Sequence, residues 1–416
     1  MKNMIKNNIL KKSYLLFIAI FIFSFTINHE AFSKDKIEEL AANIDQILSG
    51  VNCTVSVQVV SADKYDVLYE HNPREKMIPA SITKLITAAV AFQELGISYD
   101  FKTVVYTDDS DIKDGVINGN LYLKGYGDPD LNSSDIASLA QIIADKNIKE
   151  ITGNIIYDES YLDDEHYSLA NYYKGDTGGN YWPYVSALNF NKNGGGYDPA
   201  SSAAAYLSDE LKAKNVTVSG IVISGITPQG AKEIGTTFHS FFDVIARMNK
   251  ESDNHSAITV FKVLGAKYYT PPGSITKGEE AVVNFLTSIG NPRNNFEILE
   301  GSGLSRFNSV NSDLYIRLLK YMYDEEKTFD YFYSSLSIAG IDGTLKNRMK
   351  GTEAEKNVHA KTGTLNSVSS LTGYAVSRDN ELLIFYISMN GFGSSANGER
   401  YKQDLICEEL CKFSRK

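Results

Sequence analysis

Hydrophobic positions change their spacing several times along this chain, and each spacing predicts a different kind of element. Residues 35–48 carry apolar side chains at helical intervals, and Gly50 follows as a stop signal. Two alternating runs, residues 53–61 and 66–71, predict a β-hairpin. Residues 80–95 are apolar on nearly every face, so they predict a helix that is buried on most sides.

The middle of the chain has a different pattern from both ends. Between about residue 99 and residue 235, short alternating runs are broken by Gly, Asp and Asn, and one helix is predicted at 134–146. Helical patterns return beyond residue 240, and a strand, a hairpin and a last helix close the chain. These patterns predict an α+β fold. Both ends form one domain, residues 34–98 plus 236–416, with a mostly β second domain, residues 99–235, inserted.

The first 33 residues differ from the rest. Four lysines precede an apolar run at 14–27, and Ala31 and Ser33 are small residues at the spacing of a cleavage site. This pattern predicts a secretory signal peptide that is cleaved after Ser33. A retained membrane anchor is the alternative, but the apolar run is short of the roughly 20 residues that span a bilayer. No cysteine follows the proposed cut, so no lipoprotein signal is predicted.

Composition narrows the class of protein. The 416 residues are 43% hydrophobic and 22% charged, as in ordinary globular proteins, and the formal net charge is −10. An acidic exported chain is a poor candidate for binding nucleic acid. Its three cysteines, Cys53, Cys407 and Cys411, are too few for a disulfide framework. Buried thiols are favoured, while a bridge from Cys53 to Cys407 or Cys411 stays open.

Three short motifs carry the candidate chemistry. Ser81 and Lys84 form an S-x-x-K motif, Ser252 and Asn254 form an S-x-N motif, and Lys361 begins a K-T-G motif that occurs once. Taken alone each is weak, since S-x-x-K occurs at five serines and S-x-N at four. Together and in this order, they are the motifs of β-lactamases and penicillin-binding proteins.

Sequence context favours Ser81 among the five serines that precede a lysine by three residues. Of these, only Ser81 begins a long apolar helical segment. The same tetrapeptide, S-I-T-K, recurs at Ser274, but two prolines and a glycine precede it and Gly278 follows Lys277. We therefore expect the second copy in a loop or at the start of a helix near Glu279.

Nucleophilic attack by Ser81 requires Lys84 to be neutral when it takes the serine proton. Burial and a second nearby cation both lower a lysine pKa, and Lys361 is the candidate cation. Unpaired N–H groups at a helix start favour negative charge near the serine. The backbone N–H groups of Ser81 and Thr364 are the natural pair of oxyanion donors.

Other catalytic patterns are missing from the sequence. It has no G-x-S-x-G elbow, and the five histidines beyond His29 do not cluster along the chain. His359 lies two residues before Lys361, where a structural role is the favoured interpretation. No H-E-x-x-H or paired-cysteine pattern suggests a metal, so neither a metal nor a cofactor is predicted.

Several longer blocks resemble one known family. They read PASITKLITAA, KESDNHSA, EGSGLSRFN, AGIDGTLKNRM and HAKTGTL, with GYGDPDL and ITGNIIYDES between them. They resemble the class C low-molecular-mass penicillin-binding proteins, the D-alanyl-D-alanine carboxypeptidases/endopeptidases of the peptidase S13 type. The resemblance covers nearly all of the mature chain. It implies a penicillin-binding/β-lactamase-like domain, in which helices flank an antiparallel sheet.

The resemblance also implies a role for each motif residue. Ser81 would be the acylated nucleophile and Lys84 its base, while Ser252 would relay a proton and Asn254 would bind the substrate amide. The substrate-binding residues would be Lys361, Thr362, Gly363, Thr364 and, in the inserted domain, Asp158. Among them, Lys361, Thr362 and Thr364 would form the pocket for the terminal carboxylate of the substrate.

Two features depart from the family pattern. The segment that holds a further small domain in larger relatives is short here, so we expect that third domain to be absent. Glu300 stands where the family usually has Asp before G-S-G-L-S-R.

The function implied by the resemblance is a serine DD-peptidase. It would cleave D-Ala-D-Ala termini or D-Ala cross-links of peptidoglycan stem peptides, and β-lactams would acylate it. The protein would be exported to the periplasm or the cell wall of a bacterium, with no stable membrane span after cleavage. The sequence leaves open the balance of carboxypeptidase and endopeptidase activity, the diamino acid of the stem and the oligomeric state.

Two other functions remain as alternatives. A β-lactamase needs a group that activates water, and Glu280 to Asn284 imitates the E-x-x-L-N loop of class A enzymes. However, Glu280 lies in an amphipathic helical pattern, and the 167 residues between Lys84 and Ser252 are too many for that class. A non-catalytic cell-wall binding protein on the same scaffold is the other alternative, and the complete set of motifs argues against it.

Overall fold

The structure, a computed structural model, describes residues 34–167, 182–193, 198–393 and 395–416. The predicted signal peptide, residues 1–33, lies outside the described residues. Within the described ranges, no helix combines the length and the apolar character needed to cross a membrane.

The elements follow one another as groups of strands and helices. The first group is α1 (34–48), β1 (Thr54–Ser61), β2 (Val67–His71) and α2 (Thr83–Glu94). The second is β3 (Asp100–Thr107), β4 (Val116–Ile117), β5 (Leu121–Gly125), α3 (Ser133–Asp145), β6 (Glu150–Ile151), β7 (Ile155–Asp158), α4 (Pro199–Ala213), β8 (Thr217–Val218) and β9 (Val222–Ser224). The third is β10 (Lys232–Ser240), α5 (Phe241–Lys250), α6 (Asn254–Tyr268), α7 (Ile275–Ser288), β11 (Phe296–Glu297), β12 (Ser309–Val310), α8 (Ser312–Asp324) and α9 (Phe329–Ser335). The last is β13 (Ser337–Ile338), β14 (Val358–Leu365), β15 (Val368–Val376), β16 (Leu382–Asn390) and α10 (Asn397–Lys412).

Both ends of the chain build one antiparallel sheet of six strands. Its order is β13-β14-β15-β16-β1-β2, so β1 from the start of the chain pairs with β16 from its end. Helices α1 and α10 pack on one face, and α2, α5, α6, α7 and α8 pack on the other. The predicted hairpin of β1 and β2 and the predicted antiparallel sheet flanked by helices are confirmed.

The central strands of this sheet are buried on both faces, which explains their unbroken apolar sequences. In β16, Ile384 and Tyr386 point to the cluster around α2, whereas Leu383 and Phe385 point to the cluster around α1 and α10. Every residue of β16 between its two ends is buried. Packing from both sides therefore fixes the register of the strand that joins the two ends of the chain.

Two helices in the layer around α2 are buried on nearly all sides. All residues of α2 from Thr83 to Phe92 are buried, as predicted. Helix α6 is buried from His255 to Ala266. Its sequence has no polar face to mark a helical period, and no helix was predicted there.

The middle of the chain forms sheets of its own, as predicted. One has the order β10-β3-β5-β7-β9 and a smaller one the order β4-β6-β8. Helix α3 follows the prediction closely, while α4 was not predicted because its first turns hold mostly small residues. Strand β10 pairs with β3 as far as Ser240, so a boundary after residue 235 would divide a continuous strand. The domain boundaries and the absence of a third domain stay predictions.

Candidate active site

Ser81 lies in a tight turn that two other segments hold in place. The turn, Ala80–Ile82, is a 3₁₀ turn directly before α2, and Ala80 has a φ of +54°. A side chain at Gly363 would place its Cβ 2.5 Å from the Pro79 carbonyl oxygen. One at Gly303 would place its Cβ 1.9 Å from the Ala80 carbonyl oxygen. Glycine at both positions therefore lets β14 and the 301–305 loop approach the backbone around Ser81.

Lys84 lies one helical turn after Ser81 and is fully buried. Its Nζ donates to Ser81 Oγ at 3.0 Å, to Asn254 Oδ1 at 2.7 Å and to the Ser302 carbonyl oxygen at 2.6 Å. Burial lowers the pKa of Lys84 to about 7, although the negative charges of Glu300 and Asp253 oppose the shift. An amine that is partly neutral near pH 7 and bonded to a hydroxyl can act as its general base.

The S-x-N motif enters the site from the start of α6. Ser252 has a left-handed backbone with a φ of +59°, and Asn254 is the first residue of the helix. Between them, Asp253 caps the helix by accepting from the N–H groups of His255 and Ser256. This arrangement brings the Asn254 amide oxygen to Lys84. The predicted substrate contact of Asn254 would then fall to its amide nitrogen.

Lys361 is the second fully buried lysine of the site. Its Nζ donates to Ser252 Oγ at 2.8 Å and to the Thr362 carbonyl oxygen at 3.0 Å. Burial lowers the pKa of Lys361 well below its usual value, and the charge of Lys84 lowers it further. The charge of Lys84 thus acts on Lys361, whereas the lowered pKa of Lys84 comes from burial, so the expected effect of Lys361 on Lys84 stays a prediction.

Strand β14 presents its alternate side chains to an open cavity of about 640 Å³. Thr362 and Thr364 line the cavity, whereas Lys361 and Gly363 are buried on the opposite face of the strand. The lining residues are Ser81, Ser252, Thr344, Arg348, Thr362, Thr364, Asn397, Arg400, Tyr401 and Asp404. Each of the three motifs thus contributes at least one residue to the lining of one cavity. Lys84 and Lys361 lie behind the lining and bind Ser81 and Ser252, respectively.

Asp158 stands apart from this group. It ends β7 in the second sheet and is fully buried, with an ion pair to Lys124 at 2.8 Å. Its carboxylate also accepts from the N–H groups of Ser160 at 2.9 Å and Thr227 at 2.7 Å. Although burial would raise the pKa of Asp158, these bonds lower it to about 2. The substrate contact of Asp158 stays a prediction, and its internal partners do not favour it.

Glu300 is a buried residue of the site that sequence analysis did not assign. Its carboxylate accepts from Ser302 N and Ser302 Oγ, from the N–H groups of Gly303 and Ser305, and from Asn308 Nδ2, over 2.6–3.2 Å. These bonds fold the 301–305 loop so that the Ser302 carbonyl reaches Lys84. The signal was present in the motif E-G-S-G-L-S-R, whose glycines and serines suit a tight turn.

The second S-I-T-K copy, at Ser274, forms the start of a helix and lies outside the cavity. Ser274 caps α7, with its Oγ accepting from the Lys277 N–H at 3.1 Å. Lys277 Nζ donates to the carbonyl oxygens of Thr270 and Pro272. The helix begins at Ile275, so a start near Glu279 was wrong. Gly278 does not stop the helix but permits close packing, since a Cβ there would lie 2.4 Å from the Phe261 carbonyl oxygen.

The remaining sequence expectations fall outside the cavity. Glu280 lies within α7, as its amphipathic pattern predicted. Cys407 and Cys411 are buried free thiols, and Cys53 is a half-buried free thiol, so no bridge joins them. His359 is stacked on the Tyr333 ring at 3.9 Å between ring centroids.

Comparison with known proteins gives a consistent result. The profile of the D-Ala-D-Ala carboxypeptidase 3 (S13) family matches residues 34–195 and 196–408. D-alanyl-D-alanine carboxypeptidase from Actinomadura sp. (strain R39) is 26% identical, over 92% of this chain and 86% of the relative. D-alanyl-D-alanine carboxypeptidase DacB from Haemophilus influenzae is 24% identical, over 90% and 92%.

A solved structure shows that the fold is shared as well. The crystal structure of penicillin binding protein 4 (dacB) from Haemophilus influenzae superposes with a TM-score of 0.78 at 22% identity. The match covers 89% of this chain and 100% of that chain. The family profile extends over both ends and the middle of the sequence, and it includes all three motifs. This chain belongs to the D-Ala-D-Ala carboxypeptidase 3 (S13) family.

Proposed function

We propose that this protein is a serine DD-peptidase that forms an acyl-enzyme on Ser81. The observation that carries the proposal is the 3.0 Å hydrogen bond between Ser81 Oγ and the buried Lys84 amine, whose pKa is lowered to about 7. Family membership supports the D-Ala-D-Ala terminus of a peptidoglycan stem peptide as the substrate. Covalent inhibition by β-lactams follows from the same chemistry, because a β-lactam carbonyl acylates the same oxygen.

In the proposed acylation, Lys84 Nζ takes the proton of Ser81 Oγ while that oxygen attacks the carbonyl carbon of the penultimate D-Ala. The N–H groups of Ser81 and Thr364 would stabilise the oxyanion. Collapse of the tetrahedral intermediate breaks the peptide bond, and the proton passes to the leaving amine. Ser252 Oγ is suited to relay it, since it borders the cavity and accepts a bond from Lys361.

Deacylation uses the same groups in reverse. Water attacks the Ser81 ester, Lys84 accepts a proton from that water, and the proton returns to Ser81 Oγ as the acid product leaves. Asn254 and the Ser302 carbonyl would hold Lys84 in place during both steps, because each accepts one of its hydrogen bonds.

The edge of β14 offers a route for an extended peptide. Strand β13 pairs with β14 only at His359 and Ala360, so its pairing ends just before the K-T-G motif. Beyond that point Thr362 and Thr364 border the cavity. A stem peptide could add along this edge through main-chain hydrogen bonds, with its scissile carbonyl at Ser81.

Covalent labelling tests the proposal. The purified protein is incubated with a fluorescent penicillin, and intact mass is measured for the wild type, Ser81→Ala and Ser274→Ala. We expect one adduct on the wild type and none on Ser81→Ala. The adduct should be unchanged on Ser274→Ala, which loses the second copy of the S-I-T-K tetrapeptide but keeps Ser81. An adduct that persists in Ser81→Ala would contradict the assignment.

Product analysis separates the possible activities. A monomeric pentapeptide and a cross-linked dimer are each incubated with the protein, and D-Ala release and dimer cleavage are followed. D-Ala release with a long-lived penicillin adduct supports a DD-peptidase. Rapid turnover of the antibiotic would favour a β-lactamase, and binding without any product would favour a non-catalytic protein.

Export is also part of the proposal. The sequence of residues 1–33 supports a cleaved signal peptide and a periplasmic or cell-wall location in a bacterium. N-terminal analysis of the protein from cell fractions tests it. We expect an exported chain that starts at Lys34, and recovery of the uncut chain from the cytoplasm alone would contradict export.

A further inference from the structure

A short turn from the middle of the chain reaches the S-x-N motif, and the proposed mechanism does not use it. The turn consists of residues 191–193, shortly before α4, and its central residue is Lys192. The Lys192 amine donates a hydrogen bond to the carboxylate of Asp253. Asp253 separates the two active side chains of the motif, Ser252 and Asn254. A cation from outside the motif therefore binds the residue at its centre.

The carboxylate of Asp253 is held through both of its oxygens. Oδ1 accepts from the N–H groups of His255 at 2.9 Å and Ser256 at 3.3 Å, while Oδ2 accepts from Lys192 Nζ. The side chain of Asp253 is 11% exposed, so solvent screens this ion pair less than a pair on the open surface. Asp253 is thus fixed between the start of α6 and the 191–193 turn.

The backbone that carries Lys192 is uncommon. Asn191, Lys192 and Asn193 have φ angles of +50°, +54° and +57°, a left-handed conformation that asparagine adopts more readily than lysine. Neighbouring segments hold the turn, because the Asn191 N–H donates to the Leu131 carbonyl at 2.9 Å and Asn193 Nδ2 donates to the Tyr184 carbonyl at 2.7 Å. A disfavoured backbone that its surroundings maintain is typical of positions with a functional role.

The two residues beside Asp253 need fixed positions. Ser252 Oγ and Asn254 Oδ1 each accept a hydrogen bond from a buried lysine, at 2.8 Å and 2.7 Å respectively. Only residues 251–253 connect α5 to α6, so a displacement of Asp253 would move both side chains. A displacement of roughly 1 Å in such a site costs about 100-fold in rate.

We propose that Lys192 is a positioning residue, which holds Asp253 so that Ser252 and Asn254 stay aligned with the two buried lysines of the site. The inference rests on the proposed function, because acylation of Ser81 requires that alignment. Lys192 is not among the residues that line the cavity, so it acts through Asp253 rather than on the substrate. The middle of the chain thereby contributes to the catalytic geometry.

The charge of Lys192 adds an electrostatic effect. The negative charge of Asp253 raises the pKa of Lys84, and Lys192 neutralises part of that charge. Without Lys192 the carboxylate stays ionised near neutral pH, because the N–H groups at the helix start favour its charge. The pKa of Lys84 should then rise. Glu300 and Lys361, the other charged groups beside Lys84, are the same in every variant below.

Two further titratable groups face Lys192. Burial lowers the pKa of His255 to about 4, so it is neutral near pH 7. Burial raises the pKa of Asp130 to about 6, although its ion pair with Arg247 opposes the shift. Neither group is among the charges that act on Lys84. The expected change in Lys84 therefore comes from Asp253.

Variants of both partners test the inference. The rate of acylation by a fluorescent penicillin is measured as a function of pH for the wild type, Lys192→Met, Lys192→Arg, Asp253→Asn and the double variant Lys192→Met/Asp253→Asn. Lys212→Met is the matched control, since Lys212 and its partner Asp209 form an exposed pair on α4. Urea unfolding of each variant measures stability separately.

We expect Lys192→Met to lower the plateau rate by about 10- to 100-fold and to move the midpoint to higher pH by up to about one unit. Lys192→Arg should keep most of the wild-type rate, because a guanidinium can bind the same carboxylate. Asp253→Asn keeps the helix cap and should also lower the plateau, but its midpoint should move to lower pH, since a negative charge is lost. In that background Lys192→Met should change the rate by less than about twofold. Lys212→Met should match the wild type.

Three results would overturn the inference. The first is a wild-type plateau and midpoint in Lys192→Met, even if its stability falls, since that would show a purely structural ion pair. The second is an undiminished effect of Lys192→Met in the Asp253→Asn background. The third is a wild-type plateau in Asp253→Asn, which decides the matter if Lys192→Met does not fold. A wild-type protein that is not labelled at Ser81 would instead overturn the proposed function, and the inference with it.

Discussion

The ionisation of Lys84 decides whether Ser81 can be activated. Burial lowers the pKa of Lys84 to about 7, and only the neutral amine can accept the serine proton. The rate of acylation by penicillin should therefore rise about tenfold per pH unit below neutrality and level off above about pH 7. A stopped-flow series of acylation rates across this range gives the midpoint.

Histidines in other parts of the molecule provide the control for this profile. Burial lowers the pKa of His255 to about 4, so it does not titrate in the relevant range. The hydrogen bond to Asp128 raises the pKa of His239, which lies in β10 and outside the cavity lining. His239→Gln should leave the midpoint unchanged. A rate that is flat through neutrality would contradict the role of Lys84.

Glu300 acts on Lys84 in two ways, through its charge and through the loop that it holds. Its negative charge raises the pKa of Lys84, so Glu300→Gln should move the acylation midpoint to lower pH. The amide cannot accept all five hydrogen bonds of the carboxylate, so the free energy of unfolding should fall by about 1–3 kcal/mol. Acylation profiles and urea unfolding measure the two effects.

Glu297 supplies the matched control for that variant. It lies three residues earlier, and its partly exposed ion pair with Arg293 contributes little to stability. Glu297→Gln should therefore change neither quantity appreciably. A midpoint that moves to higher pH in Glu300→Gln would show that the charge of Glu300 does not act on Lys84 as described.

Individual residues were predictable where a motif fixed both type and spacing. Ser81 and Lys84 were, because residues three apart on a helix share a face. Glu300 was not assigned, since its role depends on a loop whose shape only the folded chain reveals. The family resemblance suggested a substrate contact for Asp158, which stays a prediction. The sequence did not indicate that Lys124 would be its partner within the fold.

The two helices that follow the S-I-T-K copies allow a direct comparison. Ser274 caps α7 through the Lys277 N–H, so Ser274→Ala should lower the free energy of unfolding by about 1 kcal/mol. Acylation should not change, because Ser274 lies outside the cavity lining. Urea unfolding and penicillin labelling of the same sample measure both. Ser274→Thr keeps the cap and serves as the control, and a loss of labelling in Ser274→Ala would contradict the assignment.

Helices with one polar and one apolar face could be predicted from the spacing of their apolar residues. Helices that are buried on every side were harder to predict. Helix α3 was located within one residue at each end, because its polar face and capping residue are visible in the sequence. Helix α6 was missed, since it is surrounded by protein and has no polar face to mark its period. Asn254 is the first residue of α6. The S-x-N residues could therefore be predicted from their motif, but the helix that orients them could not.

The two ends of the chain meet in the six-stranded sheet, where β1 pairs with β16. Its general plan was predictable because the apolar runs at the two ends are too continuous for exposed strands. The pairing of β1 with β16 was not, since their partners lie more than 300 residues apart and no local signal sets the register. Helix α10 packs on this sheet and also forms a wall of the cavity, so closure of the fold and completion of the site coincide.

The reactivity of the three thiols can show whether α10 stays packed on the sheet. Cys407 and Cys411 lie on α10 and are buried in the cluster that joins it to the sheet, whereas Cys53 is half-buried just before β1. Burial raises the pKa of all three thiols, and the charge of Glu399 raises that of Cys53 further. With a thiol-specific reagent, the native protein should react slowly at Cys53 and not at the other two on the same timescale.

Denaturation provides the reference for that measurement, and Cys53→Ser its control. In concentrated guanidinium chloride all three thiols should react, while Cys53→Ser should abolish the native-state reaction and leave two thiols after unfolding. Because α10 can leave the sheet only by breaking the cluster between them, the labelling rate of Cys407 and Cys411 should follow global unfolding as denaturant increases. Fewer than three reactive thiols in the unreduced, unfolded wild type would mean that a disulfide joins two of the three cysteines, and peptide mapping would identify the pair. Rapid native-state labelling of Cys407 would mean that the helix, and with it the cavity wall that carries Arg400, opens independently of the sheet.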